Sequence, residues 1–234
     1  MNVVITGATK GIGRAIAYKF AENGFNIAVC ARTAKDLDAI KQDLEKQFAG
    51  INVLTLQADV EKKNEVLAFS NLIRKEWKEV DVLVNNAGIF IPGLLHEDEE
   101  GVLEKQISIN LYAAYYLTRE LVHDMIKKKS GHIFNICSTA SITAYPNGGS
   151  YCVSKFALLG MTKVLREQMK EYNIRVTAVM PGATFTGSWK GTDQPSGRFI
   201  KPEDVAGVVW NAYNMSDQTN VEEIVMRPIL GDIL

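Results

Sequence analysis

Tyr151 and Lys155 stand four residues apart in Ser-Tyr-Cys-Val-Ser-Lys, and Ser138 lies thirteen residues before the tyrosine. On a helix, residues i and i+4 share a face, so the phenol and the ammonium point into one site. A free tyrosine titrates near ~10, too high to exchange protons readily at neutral pH. A fixed positive charge nearby favours the phenolate and brings the group toward the range useful for acid–base chemistry. Tyr-x-x-x-Lys by itself also describes an ordinary helix surface, so its weight depends on the elements that position it.

The first such element opens the chain. Val3-Val4-Ile5 reads as a short apolar strand, Thr6-Gly7-Ala8-Thr9-Lys10-Gly11-Ile12-Gly13 as a glycine-rich turn, and Arg14-Ala15-Ile16-Ala17-Tyr18-Lys19-Phe20 as an amphipathic helix. In that order Gly7 permits a tight turn, Gly11 a close backbone approach to a pyrophosphate, and Gly13 tight helix–strand packing. Phosphates would sit at the helix N-terminus, where unpaired N–H groups and the helix dipole favour anions. A glycine pattern alone also fits a plain strand–helix turn; the strand before it and the helix after it supply the context.

Strand–helix alternation continues along the chain. Strands are expected at 2–6, 26–31, 52–57, 80–85, 132–137, 174–180 and 221–226, and several are near-continuous apolar runs, as parallel strands covered on both faces require. Helices are expected at 12–23, 34–49, 62–78, 99–128, 150–171 and 202–214, with Thr33 and Asp36 as a capping signal for the second. Repeats, low-complexity stretches and linkers are not visible. The expectation is a single α/β domain over 1–234, doubly wound around a central, mostly parallel seven-stranded sheet.

Composition fits that reading. With 47% apolar residues the chain can build a sizeable core, and Lys+Arg 26 against Asp+Glu 27 gives a net charge of −1. No block of like charge suggests nucleic acid or an anionic membrane as partner. No apolar run is long enough for a spanning helix. The first strand leaves no room for a signal peptide, so a cytoplasmic enzyme is expected. Cys30, Cys137 and Cys152 are odd in number and lack metal spacing, which fits buried free thiols. Cys152 adjoins Tyr151 but points elsewhere on the helix and reads as packing. His96, His123 and His132 are scattered, and no metal motif occurs. Ser138 lacks the Gly-x-Ser-x-Gly context of a hydrolase nucleophile.

Thr6-to-Gly13, Asp59-Val60, Asn85-Asn86-Ala87-Gly88, Asn110, Ser138, Tyr151 with Lys155, and Pro181-Gly182 followed by Thr186 occur in that order. On these motifs the sequence resembles the short-chain dehydrogenase/reductases over nearly its whole length. The resemblance implies a Rossmann-like, nicotinamide-dependent oxidoreductase. It implies that Tyr151 passes a proton to or from a carbonyl oxygen as hydride moves at carbon, and that Ser138 holds that oxygen. It also implies that Lys155 lowers the tyrosine pKa and binds the nicotinamide ribose, and that Asn110 holds a proton-relay water. Gly7, Thr9, Lys10, Gly11, Ile12 and Gly13 would bind the cofactor phosphates. Asp59 and Val60 would meet the adenine, and Asn86, Ala87 and Gly88 the adenosine side. Pro181, Gly182, Thr184 and Thr186 would hold the nicotinamide. In a doubly wound sheet the ligand lies beyond the carboxyl ends of the strands. There Gly7, Arg32, Asp59, Asn86, Ser138 and Pro181 follow the first six expected strands in turn.

Cofactor choice turns on Ala31-Arg32. A relative that binds NAD is expected to carry an acidic residue where Ala31 stands; here a neutral residue is followed by a guanidinium suited to a 2′-phosphate. Lys10 offers a second positive charge, and NADP(H) is the expected cofactor. Both charges also fit a merely solvated surface.

Substrate is less legible. Residues 183–200 read as a lid, with Phe185 and Trp189 as apolar contacts. Phe90, Ala140, Ile142 and Tyr145 are candidate pocket residues. The ending Val221-Glu222-Glu223-Ile224-Val225-Met226-Arg227-Pro228 departs from 3-oxoacyl-carrier-protein reductases and is similar to bacterial sepiapterin-reductase-like members. The expected activity is reduction of a carbonyl, on a sepiapterin-like or small ketone substrate, with an oxoacyl thioester as the alternative. A catalytically silent nucleotide-sensing protein and a dehydratase or epimerase on the same fold are the readings of other classes. Apolar residues beyond one face of the two long helices, Leu111, Tyr112, Tyr115, Tyr116, Phe156, Leu158, Leu159 and Met161, point to a homodimer or homotetramer.

Overall fold

Val3, Val4 and Ile5 are all fully buried, as a central strand with helices on both faces demands. The computed structural model describes residues 1–187, 191 and 193–233. Its strands are β1 Asn2–Thr6, β2 Asn26–Ala31, β3 Val53–Gln57, β4 Val82–Asn85, β5 Gly131–Ile136, β6 Ile174–Pro181 and β7 Glu223–Met226. They form one seven-stranded sheet in the order β3-β2-β1-β4-β5-β6-β7, and every pairing is parallel. Helices α1 Gly11–Glu22, α2 Ala34–Gln47, α3 Lys63–Glu76, α4 Val102–Ile107, α5 Ala113–Lys128, α6 Gly149–Met169 and α7 Pro202–Tyr213 cover its faces.

Alternation along the strands sorts side chains into two layers. Val3, Ile5, Ile27 and Val29 join the cluster that holds Ile16 and Phe20 of α1, Leu37 of α2 and Val205 of α7. Val4 and Ala28 face the opposite cluster, with Val66 and Phe69 of α3 and Leu117 and Leu121 of α5. Phe20 packs edge-on against Phe25 at 5.0 Å and Trp210 at 5.3 Å. Truncating Phe20 to Ala would cost about 3–5 kcal/mol.

The sheet order reverses between β1 and β4, and there the loops after the two strands part and open a crevice. A buried polar chain stiffens the floor beside it. Asn85 Nδ2 donates to Thr118 Oγ1 at 3.0 Å and to Asn135 Oδ1 at 2.8 Å, and Asn135 Nδ2 donates to Thr162 Oγ1 at 2.8 Å. These bonds fix α5 and α6 against β4 and β5.

Two local expectations change. The helix expected over 99–128 begins only after Gly101, whose φ of +89° is left-handed. It then passes through a π-helical turn at Ser108–Tyr112 before α5. One extra residue in a turn leaves hydrophobic periodicity almost intact, so the pattern gave no sign of it; such turns gather at functional sites. Thr33 stands at the N-cap of α2 but makes no side-chain cap bond, and Asp36 is turned instead to Lys10.

Candidate active site

A cleft of about 640 Å³ opens at the carboxyl ends of the strands. Gly7, Thr9, Lys10, Gly11, Ile12, Arg32, Asp59, Val60, Asn86, Ala87, Gly88, Ser138, Tyr151, Lys155, Pro181, Gly182, Thr184 and Thr186 all line it. Gly13 and Asn110 are not on its wall; each acts from behind. A Cβ on Gly13 would lie 2.4 Å from Asn86 Nδ2 and 2.7 Å from the Gly7 carbonyl, so a side chain there would drive α1 off the sheet. That amide of Asn86 donates to the carbonyls of Thr6 at 2.9 Å and Gly7 at 3.0 Å, closing the crevice floor.

One end of the cleft suits an anion. Lys10 stands at the N-cap of helix α1 and makes no side-chain cap bond to the first-turn N–H groups. Gly7 and Gly11 adopt φ of +66° and +57°, which turns the backbone around that helix end. A Cβ at Gly11 would sit 3.0 Å from the Thr186 methyl. A helix end of this kind can accept an anion, and exposed Arg32 stands at the end of β2. The second expected charge, Lys10, is held by Asp36 at 2.6 Å.

The other end holds the acid–base groups. Ser138 Oγ accepts from Ala140 N at 3.1 Å, and Ser141 Oγ accepts from Ser138 N at 3.2 Å. This reciprocal cap fixes the serine at the end of β5. Tyr151, on the first turn of α6, is pushed up to about 12 by burial, with the Ser138 hydroxyl acting against that rise. Lys155 is buried and donates to the Ile136 carbonyl at 2.9 Å; burial brings it down to about 8. Burial thus raises the phenol where the sequence led us to expect a lowered one. Asn110 sits in the π-helical turn, where its Oδ1 accepts from Ile89 N at 2.8 Å and its Nδ2 donates to Ser154 Oγ at 2.9 Å. It ties the loop after β4 to α6.

Several cleft residues carried no signal in the sequence. Asp232 and Ile233 reach the wall from the C-terminal tail. Arg198 holds that tail, donating to the carbonyls of Gly231 at 2.8 Å and Asp232 at 3.2 Å. Arg227 Nε bonds Asp232 Oδ2 at 3.0 Å, while buried Asp232 Oδ1 has no hydrogen-bond partner among the described residues. Burial first, and then the Asp232 charge, push up the phenol of Tyr145; its hydroxyl donates to Thr139 Oγ1 at 2.8 Å. At the base of the expected lid, Phe185 N donates to the Ile200 carbonyl and Ile200 N to that of Ala183. Trp189 lies outside the described residues. Phe90 lines the cleft edge-on to Tyr151, with ring centroids 4.8 Å apart. Ala140 and Tyr145 line it too, whereas Ile142 does not. Cys152 is buried off the wall, as packing requires.

The model of the short chain dehydrogenase family matches residues 1–196. The chain belongs to this family. A sepiapterin reductase of Chlorobaculum tepidum is 37% identical, the match covering 99% of this chain and 97% of that one. An NADP-dependent 3-hydroxy acid dehydrogenase of Salmonella typhimurium is 32% identical over 98% of this chain and 95% of its own. Among solved structures, an alcohol dehydrogenase from the archaeon Thermococcus sibiricus, complexed with 5-hydroxy-NADP, superposes with a TM-score of 0.92 at 27% identity, covering 100% of this chain and 98% of that one. Oxidoreductase chemistry follows from the family. Among the described residues no group of His, Cys, Asp and Glu is placed to hold a metal ion, and no helix is long and apolar enough to cross a membrane.

Proposed function

We propose that the chain is an NADP(H)-dependent carbonyl reductase in which Tyr151 is the proton donor. One observation carries the reading: the N-terminus of α1, Arg32 and the Ser138–Tyr151–Lys155 group line one cleft. The reduced nicotinamide, when bound, supplies hydride to the carbonyl carbon. The first-turn N–H groups of α1 would hold the pyrophosphate, Arg32 the 2′-phosphate, and Asp59 and Val60 the adenine. Thr184, Thr186 and Pro181 would hold the nicotinamide end.

The phenol at about 12 is fully protonated at neutral pH, the state needed to protonate an oxygen that gains charge as hydride arrives. Ser138 can donate to the same oxygen and hold it beside the phenol. Lys155 at about 8 still carries its charge at neutral pH, so it favours the phenolate left behind. Asn110, through its bonds to Ile89 and Ser154, keeps the wall in register. An intact Asn110, Ser138, Tyr151 and Lys155 gives no support to a catalytically silent role.

The substrate class rests on the likeness to a sepiapterin reductase, which favours a pterin-like carbonyl compound over a 3-hydroxy acid. An oxoacyl thioester is the second reading, favoured by the apolar rim at Phe90.

Following NADPH absorbance with sepiapterin, simple ketones, a 3-oxo acid and an oxoacyl thioester tests this. Sepiapterin should be turned over best. A preference for the 3-oxo acid would overturn the assignment, and no turnover with any carbonyl would overturn the reductase reading.

A further inference from the structure

The helix that carries Tyr151 and Lys155 opens on a residue with no side chain. Gly148 occupies the N-cap position of α6 and makes no side-chain cap bond, yet the first N–H groups of any helix need an acceptor. Asp98 meets that need from 52 residues earlier in the chain. Its Oδ2 accepts from Ser150 N at 3.3 Å and also from the Ser150 hydroxyl. A carboxylate in this position also complements the positive end of a 21-residue helix.

The surroundings are shaped to admit it. Asp98 Oδ1 lies where a Cβ on Gly93 would come within 2.5 Å, and a Cβ on Gly149 would lie 2.7 Å from the Gly93 carbonyl. Gly93 N donates to Asn147 O at 3.0 Å, and Gly93 bridges Gly148 in parallel. The same loop sets Phe90 edge-on to Tyr151. So the segment between β4 and α4 grips the start of α6 through a carboxylate, a backbone bridge and a ring contact. Lys155, a turn further in, is anchored at the Ile136 carbonyl, and the Tyr151 phenol meets the Ser138 hydroxyl.

We propose that Asp98 is a positioning residue, a cap supplied from a distant loop that fixes the first turn of α6 and thereby holds Tyr151 beside Ser138. The proposal rests on Tyr151 as the proton donor. Misplacing a reacting group by about 1 Å costs on the order of a hundredfold in rate.

The test compares Asp98→Ala, Asp98→Asn and Ser150→Ala with wild type in turnover of the carbonyl found active, NADPH affinity by fluorescence, and amide hydrogen exchange over residues 149–153. D98A should lower kcat roughly ten- to a hundredfold, leave KM and NADPH affinity within about twofold, and speed exchange in that segment. D98N still offers an acceptor oxygen and should recover kcat to within about threefold of wild type. S150A keeps the backbone bond and should fall between. The proposal is overturned if D98A turns over and exchanges like wild type, if it loses NADPH affinity in step with kcat, or if D98N is as impaired as D98A. Should D98A not fold, the same criteria apply to D98N against S150A: S150A, which loses a bond that D98N can keep, must be the slower. A wild-type protein without carbonyl-dependent NADPH oxidation overturns the reductase reading instead, and the exchange comparison still decides whether Asp98 caps α6.

Discussion

The Lys10 ammonium lies 2.6 Å from the Asp36 carboxylate at the end of the cleft that Arg32 also lines. Lys10 is 74% exposed, so this ion pair is weak and yields readily to a better partner. A 2′-phosphate is such a partner, and Asp36 then competes with it for Lys10 while repelling it. Wild-type protein should bind NADPH at least about tenfold tighter than NADH, because Arg32 recognises the phosphate. Asp36→Asn should tighten NADPH a further few-fold and leave NADH unchanged, with the gain shrinking at high salt. Fluorescence titration of both nucleotides decides it. Equal affinities in the wild type would remove Arg32 from the argument, and weaker NADPH binding by D36N would remove the competition.

Tyr151→Phe keeps the ring against Phe90 and loses only the proton. NADPH should bind as before and turnover should fall more than about tenfold. The pH profile of reduction follows from the two shifted groups. Tyr151, raised to about 12, stays protonated throughout the neutral range. Lys155, lowered to about 8, is charged below that value and neutral above it. Rates of the wild type should thus decline as pH rises through about 8. A profile flat from pH 7 to 10 would take Lys155 out of the proton-transfer step.

What the sequence revealed about the site follows the range of each interaction. The turn from Gly7 to Gly13 and the pair Tyr151–Lys155 are local patterns, whose partners lie within a few residues. Asn86 was legible as part of a motif, although its bonds to Thr6 and Gly7 are long-range. Asp98 on Ser150 and Asp232 on the cleft wall were not, since Asp98 is one of four successive acidic residues and the role of each carboxylate exists only after the loop or tail has folded back. Asp36 read as a helix cap because an acidic first-turn residue fits that role equally well. Strand positions followed from the apolar runs that burial on both faces requires. The break at Ser108–Tyr112 did not, since a single added residue hardly alters which side chains face the core.

His132 offers a stability test away from the site. It is fully buried, stacked on Phe134 at 3.9 Å, with Nε2 2.8 Å from Thr177 Oγ1. Nδ1 has no partner among the described residues. Burial, helped by the charge of Arg175, lowers its pKa well below 6.5. The unfolded chain takes up a proton near pH ~6.5 that the folded chain refuses, so stability is lost as pH falls through that value. The loss approaches about 1.4 kcal/mol per pH unit below it. Urea unfolding at pH 7.5 and 5 should show wild type losing more stability than His132→Gln, which keeps a hydrogen bond to Thr177 but cannot titrate. Identical losses in the two proteins would mean that His132 is protonated in the fold.

Assembly is the last expectation the surface makes concrete. Of the apolar residues on the two long helices, Leu158 and Leu159 are buried and Leu111 and Met161 pack beside them. Tyr112, Tyr115, Phe156 and also Val153 and Val164 remain exposed by 41–58%. These side chains stand on α5, α6 and the π-helical turn between α4 and α5. An apolar face of that extent is one that a monomer seldom leaves in water. We therefore predict a homodimer or homotetramer built on a two-fold contact of α5 and α6, since one self-complementary face closes on its own copy. Light scattering at micromolar concentration should give twice or four times the chain mass of 25.9 kDa. Phe156→Glu with Val164→Glu should then shift the protein toward monomer, because neither side chain lies in the core. A wild-type mass near that of one chain would refute the interface, and an oligomer indifferent to both substitutions would move it to another face.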